Sequence, residues 1–147
     1  MLKDVPVAAR VFGLSGLLPF IASSAAIWSG EPVWESDAMT FQLTYGAAIL
    51  SFLGGIHWAR AFSGDDGWTT LVWSVLPPLI AWITLQLYPA PALFVLIFAF
   101  ALAYFVDLQA VRAGVFPDWF LPLRKILTVG VILCLSSTLY WAFYQVR

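Results

Sequence analysis

His57 is the only histidine and Cys134 the only cysteine in the chain, so chemistry that needs an imidazole or a thiol has one position each to use. Arg60 follows His57 by three residues, close to the same side of a helix, and Asp107 closes a long uncharged run that Arg112 and Arg124 then follow. Ionisable groups at membrane depth are costly and face a partner or a cavity. His57, Arg60 and Asp107, with Arg112 and Arg124 beside them, are therefore expected to form a polar cluster that either binds a ligand or joins two helices. In the first case the histidine is placed to meet a headgroup, a quinone carbonyl or a proton.

No catalytic residue is assigned. One histidine and one cysteine in different segments do not make a nucleophile pair. There is no second histidine for bis-histidine haem, no His-Glu metal spacing and no glycine-rich phosphate loop. A single tetrapyrrole on His57, beside Gly54 and Gly55, is a weaker alternative, because close helix packing explains the same glycines. No metal and no cofactor is expected.

The elements that must hold these residues are dictated by composition. The chain is 62% hydrophobic and 10% charged, against about 25% charged in soluble domains. Lipid, not water, is its solvent. A net charge of -1 removes nucleic acid as a partner, since that needs a clustered basic face. The lone cysteine excludes a disulfide framework within the chain. Eight tryptophans and an aromatic content of 17% suit rings placed at two water–lipid boundaries.

A spanning helix needs roughly 20 apolar residues. The uncharged run from Gly67 to Val106 would make a rod of about 60 Å at about 1.5 Å per residue, so it must fold back, and Tyr88-Pro89-Ala90-Pro91 is the turn. The expectation is one all-α membrane domain over residues 1–147, with five transmembrane helices near 7–28, 41–62, 68–87, 92–110 and 123–144. Pro19 should kink the first, and adjacent Pro77 and Pro78 should break the third. In the second, Ala47, Ser51, Gly55 and Ala59 recur every four residues as a helix-packing ladder, with Gly54 on a neighbouring face. Between the fourth and fifth, Phe116, Trp119 and Phe120 should dip into the membrane while Arg124 and Lys125 meet anionic lipid.

Lys3, Arg10, Arg60, Arg112, Arg124 and Lys125 fall on one side of this arrangement and Arg147 on the other. The positive-inside rule then sets the amino terminus inside and the carboxyl terminus outside, with the acidic loop of Glu31, Glu35 and Asp37 outside. Lys3 and Arg10 ahead of an apolar core, with Ser24-Ala25-Ala26 after it, have the layout of a secretory signal, but the segment is expected to remain as the first helix. With no long Arg-rich leader ahead of it, the expected location is a bacterial inner membrane.

The block Tyr45-Gly-Ala-Ala-Ile-Leu-Ser-Phe-Leu-Gly-Gly-Ile-His-Trp58 resembles a family of small bacterial and mitochondrial membrane proteins. So do Gly16-Leu-Leu-Pro-Phe20, Asp107, Pro117-Asp-Trp-Phe120 and Leu123-Arg-Lys-Ile-Leu-Thr128. The family is the domain of unknown function 3429, or transmembrane protein 69-like, family. Its members often have Gly after His-Trp, where this chain has Ala59. The resemblance implies a multi-helix inner-membrane protein and points at Tyr45, Gly54, His57, Trp58, Asp107, Trp119 and Arg124, with Tyr45, Trp58 and Trp119 at an interface. It implies no activity. The leading expectation is a non-enzymatic accessory or assembly component that contacts lipids and a membrane-protein partner or a second copy of itself. The rival is a binding or transport protein for a small amphiphile, a quinone or lipid.

Overall fold

The computed structural model describes residues 2–64 and 67–144. Among them all regular structure is helical: α1 (Val7–Ser15), α2 (Leu18–Trp28), α3 (Pro32–Ala61), α4 (Trp68–Thr84), α5 (Pro89–Arg112) and α6 (Phe120–Tyr144). Four apolar segments are long enough to cross a membrane: Val7–Trp28, which joins α1 and α2, then Trp34–Ala61, Pro89–Arg112 and Phe120–Tyr144. The fifth, α4, is as apolar but has 17 residues, about 26 Å at about 1.5 Å per residue. The chain is a multi-pass helical membrane protein.

The boundaries differ from expectation where a first-turn proline starts the helix earlier than hydropathy does. α3 begins at Pro32 rather than Phe41, so Glu35 and Asp37 ride on a helix instead of a loop. Glu35 lies in the first turn, where a negative charge faces the positive end of the helix dipole. α5 begins at Pro89 rather than Ala92, because a proline in the first turn lacks only an N–H that would have had no partner. Arg147, the lone cation expected opposite the others, lies outside the described residues.

The first span breaks at Gly16-Leu17, one turn before Pro19. There Gly16 N–H reaches both Phe12 O and Gly13 O, and Leu17 N–H reaches Leu14 O, tightening the ladder. Pro19 has no N–H for the Ser15 carbonyl and its ring crowds it, so the distortion falls in the turn ahead of the proline. The expected kink is real, but it is displaced toward the glycine.

The expected break at Pro77-Pro78 does not occur, and α4 stays helical through both. Neither proline can donate to the carbonyl four residues back, which releases those of Trp73 and Ser74. The Ser74 oxygen is covered by α3 at Gly54, where a Cβ would stand 2.6 Å from it. The neighbouring helix thus packs tightly over the freed carbonyl, at a residue with no side chain to hold it off.

α3 is the central element, packed on α2, α4 and α5, while α6 packs on α1, α2 and α5. Phe20, Leu50, Leu93, Leu96, Phe100 and Leu135 fill the core, with Phe20 edge-on to both Tyr45 and Phe100. Polar side chains cross-link the middle. Buried Gln42 donates through Nε2 to Ser24 Oγ at 2.8 Å, and Ser24 Oγ donates to the Cys134 carbonyl at 3.3 Å.

The ladder of small residues divides. Ala47 is buried and Ser51 half-buried, but Gly55 and Ala59 are exposed. A four-residue step overshoots a 3.6-residue turn by about 40°, so the three steps from Ala47 to Ala59 walk about 120° from the protein side of a straight helix toward its outer side.

Candidate functional site

Asp107 is the hub of a buried ionic cluster at one end of the bundle. Its Oδ2 accepts from Arg124 Nε–H at 2.5 Å and its Oδ1 lies 3.0 Å from His57 Nε2. Arg60 Nη1 stands 3.0 Å from the other ring nitrogen, Nδ1. A guanidinium can only donate, so Nδ1 accepts, and the geometry assigns the ring proton to Nε2, which donates it to Asp107. His57 is neutral in this arrangement, with both nitrogens engaged. Exposure of His57, Asp107 and Arg124 is 4%, 2% and 5%, so the Asp107–Arg124 ion pair and the imidazole beside it are held out of solvent.

Phe116 covers the cluster. Its ring centroid is 5.4 Å from that of His57, and Arg60 Cζ is 5.5 Å from it, within cation–π range. The phenylalanine is delivered by the end of α5: Gly114, at φ 72°, turns the chain left-handed and Val115 N–H returns to Ala110 O at 2.9 Å. Glycine takes that conformation without a steric penalty.

Of the sequence candidates, the structure brings together His57, Arg60, Asp107 and Arg124. It leaves Arg112 exposed at the end of α5, outside the cluster. Arg124 does not face lipid headgroups as expected; it turns inward to Asp107, and Lys125 alone is exposed. Tyr45 is not at a membrane surface either. It lies in mid-helix, half-buried, and its Oη donates to the Gly16 carbonyl at the break in the first span, at 3.1 Å. A phenol at that depth needs a partner, and the tightened turn offers one. Trp58 is exposed. Trp119 is half-buried and lines a cavity.

That cavity, about 330 Å³, lies between α1, α2, α3, α5 and α6 and is walled by side chains such as Phe20, Leu53, Ile56, Phe100 and Val131. Its rim residues Phe12 and Phe52 are 77% and 66% exposed, so it opens sideways onto the lipid-facing surface. Arg124 and Thr128 border it, and Arg124 Nη2 and Thr128 Oγ1 are buried with no hydrogen-bond partner among the described residues. The sequence reading turns Phe116 into the membrane rather than over the cluster, and gives Thr128 no role of its own. Thr128 had a detectable sign, lying one turn after Arg124 on the same face.

The family model described as a protein of unknown function, DUF3429, matches residues 5–140. The chain belongs to the DUF3429 family. It is 35% identical over 146 residues to transmembrane protein 69 of Xenopus tropicalis, covering 94% of this chain and 56% of that protein. Against transmembrane protein 69 of Mus musculus it is 28% identical over 144 residues, with 94% and 58% covered. The chain thus spans little more than half the length of these relatives. No solved structure matches it. Family membership agrees with the resemblance carried by the Tyr45 to Trp58 block, and the membrane character of the relatives agrees with the apolar helices.

Proposed function

We propose that this protein binds a small amphiphile within the membrane and does no chemistry on it. The observation that carries this reading is the laterally open apolar cavity, with Arg124 and Thr128 among the residues that line it. At about 330 Å³ the space is at the lower end of small-molecule sites, which run from about 300 to 1,000 Å³. The His57–Asp107–Arg124 cluster holds the arginine in place. With Lys3, Arg10, Arg60, Arg112, Arg124 and Lys125 grouped as the positive-inside rule requires, the proposed location is a bacterial cytoplasmic membrane with this site near the cytoplasmic side.

The test is purification in mild detergent followed by mass spectrometry of the retained small molecules. Ala9 borders the cavity, and Ala9→Phe should fill it. One amphiphile retained near equimolar amounts and lost in that variant is the expected result. The same lipid profile in both proteins would overturn the reading.

A second reading, an accessory subunit of a membrane assembly, draws on the outer face of α3. Gly55 and Ala59 are exposed there, and a Cβ at position 55 would meet nothing within 4 Å. Small residues on a lipid-facing side let another helix approach closely. A membrane protein retained in stoichiometric amounts and released by Gly55→Leu is its expected outcome.

A further inference from the structure

We infer that α1 is a hinged lid on the cavity, turning about Gly16-Leu17 to widen its sideways mouth; this rests on the binding reading above and says how that site is entered. α1 and its end supply Ala9, Phe12, Gly13 and Gly16 to the cavity wall, with Phe12 on the rim. α1 and α2 belong to one apolar span, yet the two halves are held very differently. No residue of α1 is buried, whereas Phe20 and Ile27 of α2 are fully enclosed. Ser24 of α2 is also tied to Gln42 and to the Cys134 carbonyl by hydrogen bonds. α1 instead meets α6 at Gly13, where a Cβ would reach only the methyl ends of Leu123 and Leu127, at 3.3 and 3.5 Å. Lipid tails are as apolar as leucine, so they replace such a contact at little cost when α1 moves away.

The pivot lies where the helical ladder is interrupted. Pro19 cannot donate to the Ser15 carbonyl, and Leu17 N–H reaches back only three residues, to Leu14 O at 3.0 Å. Hinges are element-terminal positions of this kind, where a few residues absorb the change in φ and ψ. Tyr45 of α3 fixes one side of the pivot, since its Oη holds the Gly16 carbonyl at 3.1 Å. The chain after that carbonyl is anchored in the core and the helix before it is not. Val5, just ahead of α1, is 4% exposed, so the closed lid is latched at its far end. Elements that open are drawn from the weakly packed parts of a fold, and α1 answers to that description.

The experiment follows the labelling of single cysteines by N-phenylmaleimide in the purified full chain in detergent, with Cys134→Ser as the background. Leu123→Cys lies beneath α1. Ala110→Cys is its control, because both positions are 5% exposed but Ala110, three residues from Asp107, does not line the cavity. A lid predicts labelling of Leu123→Cys roughly ten-fold or more faster than of Ala110→Cys. Tyr45→Phe removes the bond that fixes the pivot and should raise the rate at Leu123→Cys about three- to ten-fold, with no matching rise at Ala110→Cys. Equal rates at the two positions would overturn the lid, and an equal rise at both in Tyr45→Phe would overturn the pivot. Should Leu123→Cys not fold, hydrogen exchange of the unaltered chain decides: amides of residues 11–15 should exchange roughly ten-fold or more faster than those of residues 124–131 on α6. Equal protection there would overturn the lid. An amphiphile retained on purification by a protein whose α1 stays closed leaves binding standing without the lid. A lid that opens on a protein retaining nothing supports the hinge and overturns the binding reading.

Discussion

Gly54 of α3 lies directly against Pro78 of α4: a Cβ at position 54 would stand 2.8 Å from the proline Cδ and 2.6 Å from the Ser74 carbonyl oxygen. The proline cannot donate to that carbonyl, and the glycine is what allows α3 to cover it. A glycine and a proline pair 23 and 24 residues apart in the sequence form one contact.

The first prediction contrasts two adjacent glycines. Gly54→Ala forces backbone against backbone, where nothing flexible can yield, and should destabilise by about 1–3 kcal/mol, as overpacking does. Gly55→Ala meets open space and should be neutral or stabilising by up to about 1 kcal/mol, from helix propensity. Thermal unfolding in detergent, followed by circular dichroism, reads both.

Removing Asp107 strands Arg124 in a buried site. Asp107→Asn should therefore destabilise by about 3–5 kcal/mol, the range for breaking a buried ion pair from one side. Asp107→Leu combined with Arg124→Leu should cost clearly less than the summed single changes, because no charge is left unpaired. Additive losses in a double-mutant cycle would contradict the hub geometry.

Tyr45→Phe removes a single hydrogen bond, that from Oη to the Gly16 carbonyl. The expected loss is about 0.5–1.5 kcal/mol. Protease or hydrogen-exchange sensitivity should rise around residues 12–18, where the first span is already tightened.

Thr138 is fully buried and its hydroxyl has no partner among the described residues. Thr138→Val keeps its shape and should be neutral or stabilising by about 1 kcal/mol, since an unmet buried hydroxyl is removed. It lies away from the cavity wall and should leave ligand retention unchanged.

The sequence alone determined the solvent, the helix count and the meeting of His57 with Asp107. Uncharged runs of the right length admit few solutions in lipid, and ionisable groups placed there must find each other. Tertiary structure decided what depends on angles around a helix and on partners remote in the chain. Arg124 could be read as facing headgroups until α6 turned it onto Asp107; Gly55 belonged to a packing ladder until a 3.6-residue turn carried it outward; Pro77 and Pro78 spelled a break until Gly54 covered the freed oxygen. The cavity was invisible for the same reason: it is the space left between five helices, and no single stretch of sequence contains it.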